Sequence, residues 1–114
     1  MDRKQLTNRL RVEHAIKNID EAISDLKNLS LEDFKESSLL CRATCFSIAQ
    51  VGEQLDNIRE IYSEKHPEIA WNKAKGMRNR IVHDYVQIDF KSVYETVKYD
   101  LPQLREQLEC LLNE

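Results

Sequence analysis

Two glycines and two prolines in 114 residues leave this chain few places to turn sharply. An average protein draws roughly 12% of its residues from these two types. So few turn formers favour a small number of long elements. The remaining residues say which kind: 32% are charged, and the abundant Glu, Lys, Arg and Leu lose little rotamer freedom in a helix. Strands are not expected.

The apolar residues recur at helical spacing along the whole chain. Leu6, Leu10, Val12, Ile16, Ile19, Ile23, Leu26 and Leu29 mostly stand three or four apart, the signature of one buried helix face. Ser30, three residues before Asp33, reads as a cap that opens a short helix or turn where the chain reverses. A second long segment, from about Ser37 to Lys65, stripes Leu40, Thr44, Ile48, Val51, Leu55, Ile58 and Tyr62. It carries Cys45, Phe46, Ala49 and Gly52 beside that stripe, so it is apolar on more than one side and is expected at the centre. His66-Pro67 should end it, because the residue before proline is pushed out of the α region. A third helix is expected to start after Pro67, a good first-turn residue, with Trp71, Ala74, Arg78, Ile81 and Tyr85 on one face. A fourth, capped by Asp89, repeats Phe90, Val93, Val97, Leu101, Leu104, Leu108 and Leu111 through Pro102. That predicts one kinked axis, or two collinear helices with Asp100 capping the second. The expected fold is all-α, an antiparallel four- to five-helix bundle forming a single domain over residues 1–114.

Several functions are disfavoured. No apolar run approaches the roughly 18 residues of a membrane span, and Met1-Asp2-Arg3-Lys4-Gln5 lacks the apolar region of a secretion signal, so a cytoplasmic location with no membrane partner is expected. Cys41 and Cys45 stand one helical turn apart, but no second Cys or His pair has metal-ligand spacing. With Cys110 they read as buried, reduced thiols, and no metal or other cofactor is expected. The formal charge of −3 argues against coating nucleic acid by bulk electrostatics. Any such role must be local, and Lys73, Lys75, Arg78 and Arg80 lie in one stretch without an acid.

Within that stretch an arginine occupies a position where a plain helix would place leucine. Cleaving RNA without a metal needs a proton acceptor for the 2′-hydroxyl, a donor for the leaving oxygen and a cation for the charge that builds on phosphate. Histidine serves as base or acid near neutral pH, and arginine offers a fixed fork matched to phosphate oxygens. Arg78 and His83 supply both parts. Yet five residues put them roughly 140° apart around a straight helix. Either the helix loosens near His83, or a second copy of the chain completes the site across a two-fold axis. Asn79, four residues before His83, can orient its imidazole or bond a phosphate.

The run Arg78-Asn79-Arg80-Ile81-Val82-His83-Asp84-Tyr85 is similar to the motif of the HepT-like ribonuclease toxins of the HEPN superfamily. Matching features flank it: Gly52-Glu53, Pro67 with Ile69-Ala70-Trp71, Gly76-Met77, Ile88-Asp89, and Asp100-Leu101-Pro102 with Leu104. The resemblance implies a dimeric helical bundle and metal-independent endoribonuclease activity in a type VII-like toxin–antitoxin system. Arg78, His83 and Asn79 would form the catalytic set, and Lys73, Lys75 and Arg80 would bind RNA. It also implies a cognate minimal nucleotidyltransferase antitoxin that adds AMP to Tyr85.

Plainer readings stand beside each residue. Arg78 can be a structural ion pair with Glu53, and Tyr85 a core residue. Lys73, Lys75 and Arg80 can be a solvated face, and His83 a helix-terminal histidine. His14 and His66 stand among polar residues and read as solvated, while Trp71 reads as core or interface. The chain as a whole can be a non-catalytic HEPN partner that binds nucleotide, nucleic acid or the nucleotidyltransferase. An intact Arg78 and His83 favour the enzyme, since a binding module needs no titratable group there.

Overall fold

In the computed structural model, which describes residues 1–114, the chain is all helical. Its elements are α1 (Arg3–Asp25), α2 (Leu31–Glu36), α3 (Ser38–Tyr62), α4 (Trp71–Asp84), α5 (Phe90–Glu95) and α6 (Leu101–Leu112). A 3₁₀ turn covers Tyr85–Gln87, and a π turn, Thr96–Asp100, joins α5 to α6. Three long helices, the α5–α6 axis and the short α2 make the expected antiparallel bundle. Cross-links fix the directions: Arg9 donates to the Leu112 carbonyl, Arg105 to Asp20, Lys98 to the Leu26 carbonyl and Tyr94 to the Leu29 carbonyl. Position rises on α1 as it falls on the last axis, so the two run opposite ways. The last two of these bonds tie the turn between α1 and α2 to the last axis.

Capping follows the sequence at two predicted places. The Ser30 hydroxyl accepts from the Asp33 N–H at 3.1 Å, and the Asp89 carboxylate accepts from the Lys91 N–H at 3.0 Å. Hydrogen bonds from Ser92 and Lys91 hold the Asp89 carboxyl below the usual carboxylate range. Other details differ from expectation. Pro67 lies in a turn, and α4 begins at Trp71, whose indole N–H donates to the His66 carbonyl at 2.9 Å. Asp100 caps nothing; its carboxylate pairs with Lys73 at 2.8 Å. The π turn absorbs Pro102, which lacks an N–H and would clash with a tight α turn behind it.

The core holds 22 buried apolar residues, drawn mainly from α1, α3, α4 and the α5–α6 axis. Phe34 of the short α2 is completely buried and packs edge-on against Phe90 at 6.2 Å, locking α2 over α5. Leu6 and Leu10, expected inside, are exposed. Asn8 and Val12 are buried on the inward face of the same turns, and Leu6 and Leu10, each two residues from one of them, fall on the opposite face. Cys41 and Cys45 are buried as expected, whereas Cys110 is on the surface. Burial, with Cys41 adding, pushes the Cys45 thiol up to about 11, which keeps it protonated and inert at neutral pH. His66 is not solvated: its ring is mostly covered and stands between Glu68, at 3.1 Å, and Glu114.

Helices α3 and α4 approach each other closely at Gly52. A Cβ placed on Gly52 would meet the Arg78 Cβ at 2.6 Å and the Ala74 carbonyl oxygen at 2.8 Å. One of those atoms is backbone, so it cannot swing aside. Gly76, by contrast, has nothing within 4 Å of a Cβ. The two helical glycines should therefore respond oppositely to alanine. Gly52→Ala forces α4 outward and is expected to cost about 1–3 kcal/mol, against its better helix propensity. Gly76→Ala is expected to gain about 0.5–1 kcal/mol. Urea denaturation of the two variants checks this; equal shifts of the midpoint would contradict the packing described here.

Candidate active site

The close approach at Gly52 decides where Arg78 goes. With its Cβ against the α3 backbone, the side chain must run outward along the seam between the two helices. There its guanidinium meets Glu53, the neighbour of Gly52, at 2.9 Å. The Asn79 side-chain oxygen accepts from a second guanidinium nitrogen at 2.8 Å. Arg78 keeps 31% of its side chain exposed. A guanidinium has five N–H donors, so these two partners leave others facing solvent. The arginine is thus both an ion pair and a fixed cation with donors to spare.

Asn79 is engaged with Arg78 and makes no bond to His83. His83 is exposed and makes no side-chain hydrogen bond or ion pair. Helix α4 keeps α geometry through Asp84, and the 3₁₀ turn begins only at Tyr85. The loosening that would swing His83 toward Arg78 is therefore not present, and the two side chains stay on different sides of α4.

The basic residues divide in the same way. Lys75 pairs with Asp56 at 3.6 Å on the Arg78 side, while Lys73 pairs with Asp100 at 2.8 Å on the side of the last helix. Arg80 is exposed and makes no ion pair. Tyr85 lies at the seam, 36% exposed, with its ring edge-on to Phe90 at 6.0 Å. Burial pushes its phenol above the ordinary value; Cys45 and Cys41 add to this and Arg42 opposes it. Tyr85 is thus half core and half surface, neutral at physiological pH, and it borders the N-terminal half of α3.

Reading the sequence missed what surrounds Arg78. Phe46 stands two turns before Glu53 on α3, and Val82 stands one turn after Arg78 on α4. Phe46 shares the face of α3 that carries Glu53 and, with Leu39, borders a shallow hollow toward Glu21 and Asp25 of α1; Val82 shares the face of α4 that carries Arg78. Phe46, Leu39, Val82 and Val86 are large, apolar and exposed, with Val86 at 96%. The available signal was Val82 and Val86, one turn apart and out of phase with the buried stripe. No group of three His, Cys, Asp or Glu side chains is placed to hold a metal ion, and no helix is long and apolar enough to cross a membrane.

Comparison with known proteins bears on this arrangement. The family model described as ribonuclease HepT-like matches residues 8–111. A candidate RNase of Caldanaerobacter subterraneus subsp. tengcongensis is 30% identical over 101 residues, covering 89% of this chain and 90% of its own. The protein of Thermococcus cleftensis named Probable ribonuclease HepT is 31% identical over 100 residues, covering 84% and 91%. A candidate RNase of Methanocaldococcus jannaschii is 28% identical over 96 residues, covering 84% and 79%. No solved structure matches the chain. The match spans all of α2 to α5, most of α1 and α6, and every residue of the seam; the chain belongs to the HepT-like ribonuclease family.

Proposed function

We propose that the chain is a metal-independent endoribonuclease that acts as a homodimer, the toxin of a type VII-like toxin–antitoxin pair. What carries this is Arg78, held by Glu53 and Asn79 yet partly open to solvent, with exposed Val82 one turn further along α4. A cation fixed in that way suits charge that appears on a phosphate during reaction, because its position needs no rearrangement at that moment. The ribonuclease activity of the relatives' names points to the same class.

Two copies would meet through Leu39, Phe46, Val82 and Val86, a surface whose apolar side chains gain from leaving water. About a two-fold axis, each site would then take Arg78 from one copy and His83 from the other, which resolves their separation around α4. His83 takes the proton of the substrate 2′-hydroxyl as base, or delivers one to the leaving 5′-oxygen as acid. The 2′-oxygen attacks the adjacent phosphorus, the bond to the 5′-oxygen breaks, and Arg78 balances the added negative charge. Asn79 keeps the guanidinium in place. The products carry a 2′,3′-cyclic phosphate and a free 5′-hydroxyl. Arg80, and Lys73 and Lys75 with their carboxylate partners, would flank the RNA.

Arg78→Ala and His83→Ala should each lower cleavage about 100-fold or more, the scale of a lost charge-stabilising donor or general base. Wild-type activity should persist in a chelator and leave cyclic phosphate ends. Full activity in either folded variant would remove that residue from the site, and a wild-type chain that cuts no RNA would leave the binding-partner reading.

Control is proposed at Tyr85. Its half-exposed phenol is reachable, and it sits at the same seam as Arg78. A minimal nucleotidyltransferase that adds AMP there would place a bulky phosphodiester, with its negative charge, where the RNA backbone must lie. Arg78 would hold the new phosphate by charge-assisted hydrogen bonds. Co-expression with such an enzyme should raise the mass by multiples of AMP, mapped to Tyr85, with loss of cleavage. An unmodified chain silenced by binding alone would rule this out.

A further inference from the structure

On the side of α4 away from Arg78 lies a cleft of about 180 Å³ between α3, α4 and the π turn that leads into α6. Val51, Met77, Leu101 and Leu104 form an apolar floor, and Glu68, Lys73, Asp100 and Gln103 stand at the rim. Lys73 and Asp100 are the pair already placed beside the RNA; the other residues have no part in the chemistry assigned to Arg78 and His83. Pockets for whole small ligands run to about 300–1,000 Å³, so this one suits a single flat ring system. Helical π turns often stand at functional sites, and here the turn shapes one wall.

The rim carries two carboxylates against one ammonium, with the His66 ring against Glu68. That charge balance is wrong for a phosphate and right for a group rich in N–H donors. Asp100 gives one oxygen to Lys73 and retains the other as an acceptor. The cleft also continues onto an open track. Lys73, Gly76, Arg80 and His83 are spaced three, four and three apart, which puts them along one face of α4. Gly76 has open space above it, so a strand leaving the cleft passes freely there before it reaches Arg80 and His83.

We propose that this cleft is a base subsite for single-stranded RNA, receiving one unstacked base that bears an exocyclic amine, cytosine over uracil. Cytosine brings two N–H donors on its amine to an acceptor-rich rim. Uracil brings one and sets carbonyl oxygens against the carboxylates. The apolar floor takes the flat face, with the Met77 thioether suited to a ring edge. Duplex RNA keeps its bases stacked and cannot enter. This rests on the ribonuclease reading for its ligand, but not on cleavage for its test.

The test uses the full chain with [13C-methyl]methionine and 2′-O-methylated tetracytidylate or tetrauridylate, which cannot be cut because the 2′-oxygen is blocked. Met77 and Met1 are the two methionines, so Met1, exposed at the N-terminus, serves as the internal reference. The Met77 methyl should shift and saturate with the cytidylate, bind the uridylate about tenfold more weakly, and lose most of that difference in Asp100→Asn. No Met77 shift, equal affinity for the two oligomers, or an unchanged preference in Asp100→Asn overturns the subsite. A chain that binds as described but never cuts unmodified RNA keeps the subsite and loses the nuclease reading. One that cuts RNA without any Met77 response loses the subsite alone.

Discussion

Helix α4 can lie as close to α3 as it does only because residue 52 has no side chain. The Arg78 Cβ and the Ala74 carbonyl oxygen both occupy space that a Cβ at that position would need. Once the backbones are that near, Arg78 cannot bury its length in the core and cannot leave the seam. Its stem lies against α3 and its head emerges beside Glu53. A glycine inside a helix carries a cost of about 1 kcal/mol relative to alanine. Here that cost is offset by a packing arrangement that also sets the direction of a cation.

The electrostatics follow from that placement. An arginine wholly enclosed with a carboxylate would be neutralised and sealed, an arrangement whose desolvation often cancels its attraction. An arginine wholly exposed would be mobile and screened. Arg78 falls between these limits, partly covered, paired to Glu53 and steadied by Asn79. The opposite side of α4 is organised differently. Lys73 is tied to Asp100 at the π turn, while Arg80 and His83 stay unpaired toward solvent. One helix therefore presents a braced cation on one side and an open histidine on the other, and the proposed dimer is the arrangement that would unite them.

Much of this was legible in the sequence because helical burial leaves a three- and four-residue rhythm. The stripes from Val12 to Leu26, from Thr44 to Ile58 and from Val93 to Leu111 became core, and the caps at Ser30 and Asp89 formed as read. The arginine at 78 stood out because it interrupted such a stripe, and Glu53 was its foreseeable partner. What failed were mostly features fixed by neighbours far along the chain. Leu6 and Leu10 were counted with the stripe although they are out of phase with Val12, and the inward position in their turns belongs to Asn8. His66 looked solvated because Glu114, its partner across the fold, is distant in sequence. Asp100 had the form of a cap, yet the π turn left it free to meet Lys73. The close contact at Gly52 and the cleft beside Met77 depend on helix spacing, which periodicity does not encode.

The central claim is that one site draws Arg78 and His83 from opposite copies, and mixing two inactive variants tests it most directly. Arg78→Ala and His83→Ala dimers, each inactive alone, should regain RNA cleavage when subunits are exchanged, since every heterodimer then holds one site with both residues intact. Differently tagged variants allow the heterodimer to be isolated and assayed. Recovery approaching half of the wild-type rate is the predicted result. An isolated heterodimer that remains as inactive as its parents would contradict the account.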